Sequence, residues 1–107
     1  MINIFNKDKN VISAKKAKEM MDTSDVVVID VREEHEYKNG HVKNALLIPL
    51  DTIGQNKDIM PSLDETLLVY CRSGQRSKKG AQQFRKLGYQ SVFDFGGILD
   101  WPYEIEK

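Results

Sequence analysis

Cysteine is almost missing from this chain. One cysteine, Cys71, stands among 107 residues. That excludes an intramolecular disulfide framework and a cysteine-rich zinc site. It also excludes an internal resolving thiol, so any bond Cys71 makes must be discharged by an outside molecule. Long apolar runs are missing too. No segment approaches the ~20 apolar residues that span a bilayer, and the polar stretch Met1 to Asn10 lacks a signal peptide's apolar core. Excess charge of either sign is absent. Sixteen Lys and Arg balance sixteen Asp and Glu. No general electrostatic reason remains to expect nucleic acid or an anionic membrane as partner. An unpaired cysteine behind a leaderless N-terminus suits a reducing cytoplasm.

What is present fits one soluble globular domain, 1–107, with its core expected over about 11–103. Apolar residues make up 40% of the chain and charged ones 30%. A domain of this length buries roughly 65% of its unfolded surface, enough to fold without disulfides or metals.

The pattern of elements alternates. Ser13 reads as an N-cap, ahead of a helix with Ala14, Ala17 and Met21 on one face. Val26-Val27-Val28-Ile29 is apolar at every position, as a strand covered on both faces would be. Leu46-Leu47-Ile48, stopped by Pro49, reads as a second strand. Leu67-Leu68-Val69-Tyr70 reads as a third, and Ser91 to Phe95 as a fourth. Between them, Glu33 to Lys38 reads as a short helix. Asp51 is expected to cap a turn over Thr52 to Asn56. Ser77 to Leu87 is the clearest helix, with Ala81, Phe84 and Leu87 inward, Lys78 to Lys86 otherwise outward, and Gly88 as its C′ residue. Alternating strands and helices argue for an α/β layer with a largely parallel sheet. Ligands of such sheets bind at the carboxyl ends of strands, and Cys71 sits at one.

The run Cys71-Arg72-Ser73-Gly74-Gln75-Arg76-Ser77 therefore carries the chemistry. Gly74 permits a tight curl. Curled backbone turns N–H groups inward as an anion nest, the following helix adds its positive end, and Arg72 and Arg76 add full charges. Each of these terms favours a thiolate. The two histidines, His35 and His41, supply no base by sequence proximity. Such a cradle suits chemistry in which the sulfur itself takes up a group and passes it on.

Other residues read as support. Asp30 at the end of a buried strand needs a partner, Arg32 or backbone N–H groups near the loop. Glu36 shares that structural reading. Arg76 either helps bind an anion or clamps the loop by pairing with a carboxylate. Ser77 reads as the helix N-cap or a hydrogen-bond partner of the loop. His41 reads as a hydrogen-bonded turn residue, Gly96-Gly97 as a close turn beneath the Cys71 loop, and Trp101 as core. The basic face of the last helix is ordinarily a solvated face, with guidance of an acidic partner or donor as the sharper reading.

The chain resembles the single-domain rhodaneses, a family of sulfurtransferases. Asp30-Val31-Arg32-Glu33, Glu36-Tyr37 and Gly40-His41-Val42-Lys43-Asn44-Ala45 resemble the family's first signature. Cys71 to Ser77 resembles its active-site loop, and Gly96-Gly97 with Trp101 its C-terminal signature. The resemblance implies a rhodanese-like three-layer α/β sandwich with a central, mainly parallel sheet flanked by helices. It implies that Cys71 accepts a sulfane sulfur from thiosulfate or a similar small anionic donor and becomes a persulfide. The sulfur then passes to cyanide or a thiol, such as a low-molecular-weight thiol or a thioredoxin-like protein. Arg72, Ser73, Gly74, Gln75 and Arg76 would form the cradle, supported by Asp30, Arg32 and Ser77, with no metal or cofactor. A neighbouring family of phosphatases and arsenate reductases shares the fold. Its loop holds five residues between cysteine and arginine; Arg72 to Gln75 makes four, a narrower ring that suits sulfur. A non-catalytic persulfide carrier or sensor is the other alternative. A partly exposed Cys71 is expected in any of these roles.

Overall fold

The computed structural model describes residues 10–107. The expectation of an edge strand or frayed end over Met1 to Asn10 lies, Asn10 apart, outside the described residues.

Four parallel strands form the central sheet in the order β3 (Leu46–Leu47), β1 (Val27–Asp30), β4 (Thr66–Cys71), β5 (Ser91–Gly97). β4 is interior, which is why every residue from Leu67 to Cys71 is buried. Its alternate side chains enter two separate clusters. Leu67, Val69 and Cys71 join Ile29, Ile48, Ala81 and Phe84 on one face. Leu68 and Tyr70 join Ala17, Val28, Phe95 and Trp101 on the other. Both faces of the sheet are thus covered, as the unbroken apolar run at Val26 to Ile29 required. Each large apolar side chain buried this way contributes about 1.5–3 kcal/mol.

Helix α1 (Ala14–Thr23) covers the second face, and Ser13 caps it by accepting the Lys16 N–H at 3.0 Å. The short α2 (Glu34–Lys38) is closed by a capping box between Glu33 and Glu36, and its Tyr37 packs on the same cluster. Helix α3 (Gln75–Lys86) covers the first face with Ser77, Gly80, Ala81 and Phe84. A small antiparallel pair, β2 (His41–Val42) with β6 (Ile105–Glu106), lies apart from the main sheet.

Some expectations are corrected. Leu87 is 46% exposed rather than core. Steps of three residues drift backward around a helix of 3.6 residues per turn, so Leu87 stands about 120° from Ala81. Gly88 does follow the helix with a positive φ of 110°. Asp51 does not cap a turn; it lies inside a 3-10 turn (Leu50–Thr52) that Pro49 precedes. His41 belongs to β2 rather than a turn, yet its role is structural. Its ring stacks on Tyr37 at 3.7 Å and its Nδ1 lies 2.9 Å from the Tyr37 carbonyl.

Candidate active site

Asp30 anchors the region behind the site. It is fully buried at the end of β1, and a lone carboxylate there would be costly. Arg32 donates to it from Nε at 3.0 Å and Nη2 at 2.8 Å, and from its own backbone N–H at 2.9 Å. The Tyr70 hydroxyl donates to it at 2.6 Å and accepts the Val42 N–H at 3.0 Å. Burial opposes the charge on Arg32, but the bonds and attraction from Asp30 outweigh it and raise the pKa. Burial, and then Asp30, push the Tyr70 hydroxyl well above its ordinary range. The expected pairing of Asp30 with Arg32 is present. Tyr70 was not legible as a member, because its place opposite Asp30 depends on the β1–β4 register.

Cys71 follows as the last residue of β4. Its Sγ accepts the Gly74 N–H at 3.0 Å. Among the described residues that amide is the donor that reaches it, where several were expected. Gly74 is the N-cap of α3 at φ 108°, a left-handed conformation that glycine adopts without steric cost. The helix therefore starts at Gln75, two residues before Ser77. Ser77 takes the second of its two expected roles. Its Oγ does not cap the helix, whose N-cap is Gly74; it is buried, donates to Asp94 Oδ1 at 2.7 Å and lies 3.1 Å from the Gly74 carbonyl of the loop.

The exposure of Cys71 is also corrected: it is 1% exposed. The residue lies within the strand rather than on the loop, buried in the cluster of Ile29, Ile48, Ala81 and Phe84, with Gly97 of β5 paired beside it. Between Val69–Asp94 and Cys71–Gly97 the register shifts, with three steps on β5 against two on β4. Such a bulge bends the strand, and Gly96 carries it at φ 92°. Asp94 accepts the Gly96 N–H at 2.9 Å and so holds the bulge. Gly97 then presses on the loop so closely that a Cβ there would overlap the Arg72 carbonyl and lie 2.6 Å from Ser73 Cα. Leu99 N–H donates to Arg72 O at 3.2 Å and fastens the same contact. The expected proximity of Gly96-Gly97 to the loop holds, through a bulged strand end instead of a turn. Asp94 had no sequence signal.

Arg76 is engaged. Glu36 on α2 accepts from Nη1 at 2.7 Å and Nη2 at 2.9 Å. The bonds from Arg76 hold the Glu36 carboxyl down at about 2. They likewise raise Arg76. Arg72 and Ser73 are exposed, and Arg72 makes no ion pair among the described residues. A cavity of about 640 Å³ lies at the other end of β1, against Met21, Val26, Val42 and Tyr103, and touches none of residues 71–77.

A family model for the rhodanese-like domain matches residues 13–103. The chain belongs to that family. A rhodanese-like domain protein from Staphylococcus aureus is 31% identical, with a TM-score of 0.79 over 91% of this chain and 96% of that one. A structure described as rhodanese with anions, from E. coli, is 30% identical, with a TM-score of 0.68 over 76% of this chain and 96% of that one. A tRNA uridine(34) hydroxylase from Cronobacter sakazakii is 34% identical over 90% of this chain. The chain spans only 29% of that relative's length. Among the described residues, no helix is long and apolar enough to cross a membrane.

Proposed function

We propose that this rhodanese-like domain is a sulfurtransferase working through a Cys71 persulfide, with thiosulfate or a similar small anion as donor. One observation carries the reading: the sulfur of Cys71 ends a central strand and accepts the Gly74 N–H at 3.0 Å. The Cys71 thiolate attacks the sulfane sulfur of thiosulfate. The S–S bond of the donor breaks, and its electron pair leaves on sulfite. The persulfide so formed hands its outer sulfur to cyanide or to a thiol, such as a low-molecular-weight thiol or a thioredoxin-like protein. The chemistry requires no metal or organic cofactor.

Three features support this role. Cys71 is 1% exposed as a residue, and the slim tip of a sulfane donor reaches such a site more readily than a tetrahedral phosphate. The Gly74 N–H would stabilise the persulfide's charge as an oxyanion hole stabilises oxygen. The similar rhodanese from E. coli is described with anions. Arg72 makes no ion pair among the described residues, and it meets the donor. Arg76, held by Glu36, clamps the loop instead. The chain spans only 29% of one relative named as a tRNA uridine(34) hydroxylase, and that activity belongs to the longer protein. The cytoplasm is the proposed location.

Intact mass spectrometry after exposure to thiosulfate tests the reading. The expected result is a gain of one sulfur atom that cyanide reverses and that Cys71→Ser lacks. Serine keeps an acceptor for the Gly74 N–H, so that variant should still melt cooperatively. Hydrolysis of an aryl phosphate with no sulfur gained would assign the chain to phosphatase or arsenate reductase chemistry. Loading without turnover on small acceptors would make it a carrier.

A further inference from the structure

These 107 residues hold one cysteine, so an acceptor thiol comes from outside them, and one face of α3 has the charge to select it. From Gln75 to Leu87 the chain carries Arg76, Lys78, Lys79, Arg85 and Lys86 and no acidic residue. The whole chain is formally neutral, so the charge is segregated rather than in excess. On α1 and α2 the arrangement differs: Lys18 meets Asp22 and Lys38 meets Glu34, each four residues apart. Arg76 is taken by Glu36. Among the described residues, Lys78, Lys79, Arg85 and Lys86 make no ion pair. Lys79 and Lys86 are exposed and lie seven residues apart on one stripe, about 10 Å along the axis. Lys78 and Lys79 begin that surface one turn beyond Gly74, whose amide holds the Cys71 sulfur.

We propose that this face of α3 docks the sulfur acceptor, and that the acceptor is an acidic protein presenting its thiol on a protruding segment. The proposal rests on the sulfur-transfer reading above. Protrusion follows from the 1% exposure of Cys71, which a thiol on a flat surface does not reach. The acceptor thiolate attacks the outer sulfur of the persulfide. The S–S bond breaks, its electron pair returns to Cys71 as thiolate, and the acceptor departs as a persulfide. Docking leaves this step unchanged and acts on encounter, so its effect falls on kcat/KM and on salt dependence. A neutral chain offers no long-range pull, and the stripe acts only within a Debye length of about 10 Å at 0.1 M salt.

Nucleic acid is the rival polyanion. The sequence pI of 6.7 is far from that of basic nucleic-acid-binding domains. The one aromatic of α3, Phe84, is fully buried, so the face offers no platform for stacked bases.

The test uses two cysteine peptides that differ only in Glu against Gln at the flanking positions. The wild-type chain is loaded with thiosulfate, and discharge is followed at about 20 mM and 500 mM salt. The Glu peptide should discharge the persulfide about tenfold faster than the Gln peptide at low salt, with the gap closed at high salt. In Lys79→Glu/Lys86→Glu the preference should invert, while loading by thiosulfate and discharge by 2-mercaptoethanol stay unchanged. NMR titration of the unloaded chain with the Glu peptide should shift the amides of α3. Equal discharge by both peptides, or an unchanged preference in the variant, overturns the proposal. So does an RNA hairpin that shifts α3 at lower concentration than the Glu peptide. If no sulfur loads, the reaction is misassigned, and the NMR titration alone decides the docking surface.

Discussion

Glu36 on α2 grips Arg76 on α3 through two parallel hydrogen bonds of 2.7 and 2.9 Å. The two residues are 40 positions apart in the chain, and their pairing ties the first turn after Cys71 to the short helix beside it. A bidentate fork of this kind fixes direction as well as distance. It engages Arg76 at both terminal nitrogens, whereas Arg72 makes no ion pair among the described residues.

This pair makes stability depend on pH in a defined window. Glu36 is held at about 2, below its ordinary 4.5, chiefly by the bonds from Arg76. A carboxyl whose folded pKa is lowered adds stability in full above its unfolded value. That contribution is lost as pH falls from about 4.5 through about 2. The pair is partly solvated, so about 1 kcal/mol is expected, or roughly 5 °C in melting temperature. Thermal melts of wild type and Glu36→Gln between pH 2 and 7 check this. The two should differ most above pH 5 and converge near pH 2; a constant gap would contradict it.

Adjacent glycines on β5 should behave differently. A Cβ at Gly97 would overlap the Arg72 carbonyl and lie 2.6 Å from Ser73 Cα, whereas one at Gly96 meets nothing within 4 Å. Gly97→Ala must therefore push the loop off the sulfur, at a cost of about 1–3 kcal/mol. Gly96→Ala has room but must hold φ at 92°, strain of about 1 kcal/mol. The first variant should load sulfur from thiosulfate at least tenfold more slowly. The second should lose stability and keep most of its loading rate. Stopped-flow loading with a urea melt of each variant separates the two effects, and equal loading rates would refute the assigned contact.

Sequence reading reached what depends on local pattern. The apolar run at Val26 to Ile29 announced a strand covered on both faces, and the residues after Cys71 announced a curled loop. It failed where long-range register decides. Tyr70 looked like one more apolar strand residue, yet pairing of β1 with β4 sets its hydroxyl on Asp30. Asp94 drew no reading of its own, but it holds Ser77 and the Gly96 bulge. Ser77 invited a capping role because serine is the usual N-cap; Gly74 at φ 108° took that position. The burial of Cys71 was missed because it depends on the side chains that the fold packs against the last residue of β4, which no local pattern displays.

Arg72 provides the sharpest test of donor binding. Its side chain is exposed and unpaired among the described residues. Its carbonyl is fixed by Leu99 N–H at 3.2 Å, so truncation of the side chain leaves the loop backbone held. Arg72→Ala should therefore raise the KM for thiosulfate several-fold and leave the melting temperature within about 2 °C, as expected of a surface change. The turnover number should change less, because a rim charge contributes to binding the anion in ground and transition states alike. Arg72→Lys should recover most of the affinity if the guanidinium acts as a point charge. It should recover little if a planar fork grips the sulfonate oxygens of the donor. Raising salt from 20 to 500 mM should increase the wild-type KM and narrow its difference from the alanine variant. Steady-state kinetics with thiosulfate and cyanide measure all of these, and a KM that ignores both the substitution and the salt would take Arg72 out of the donor site.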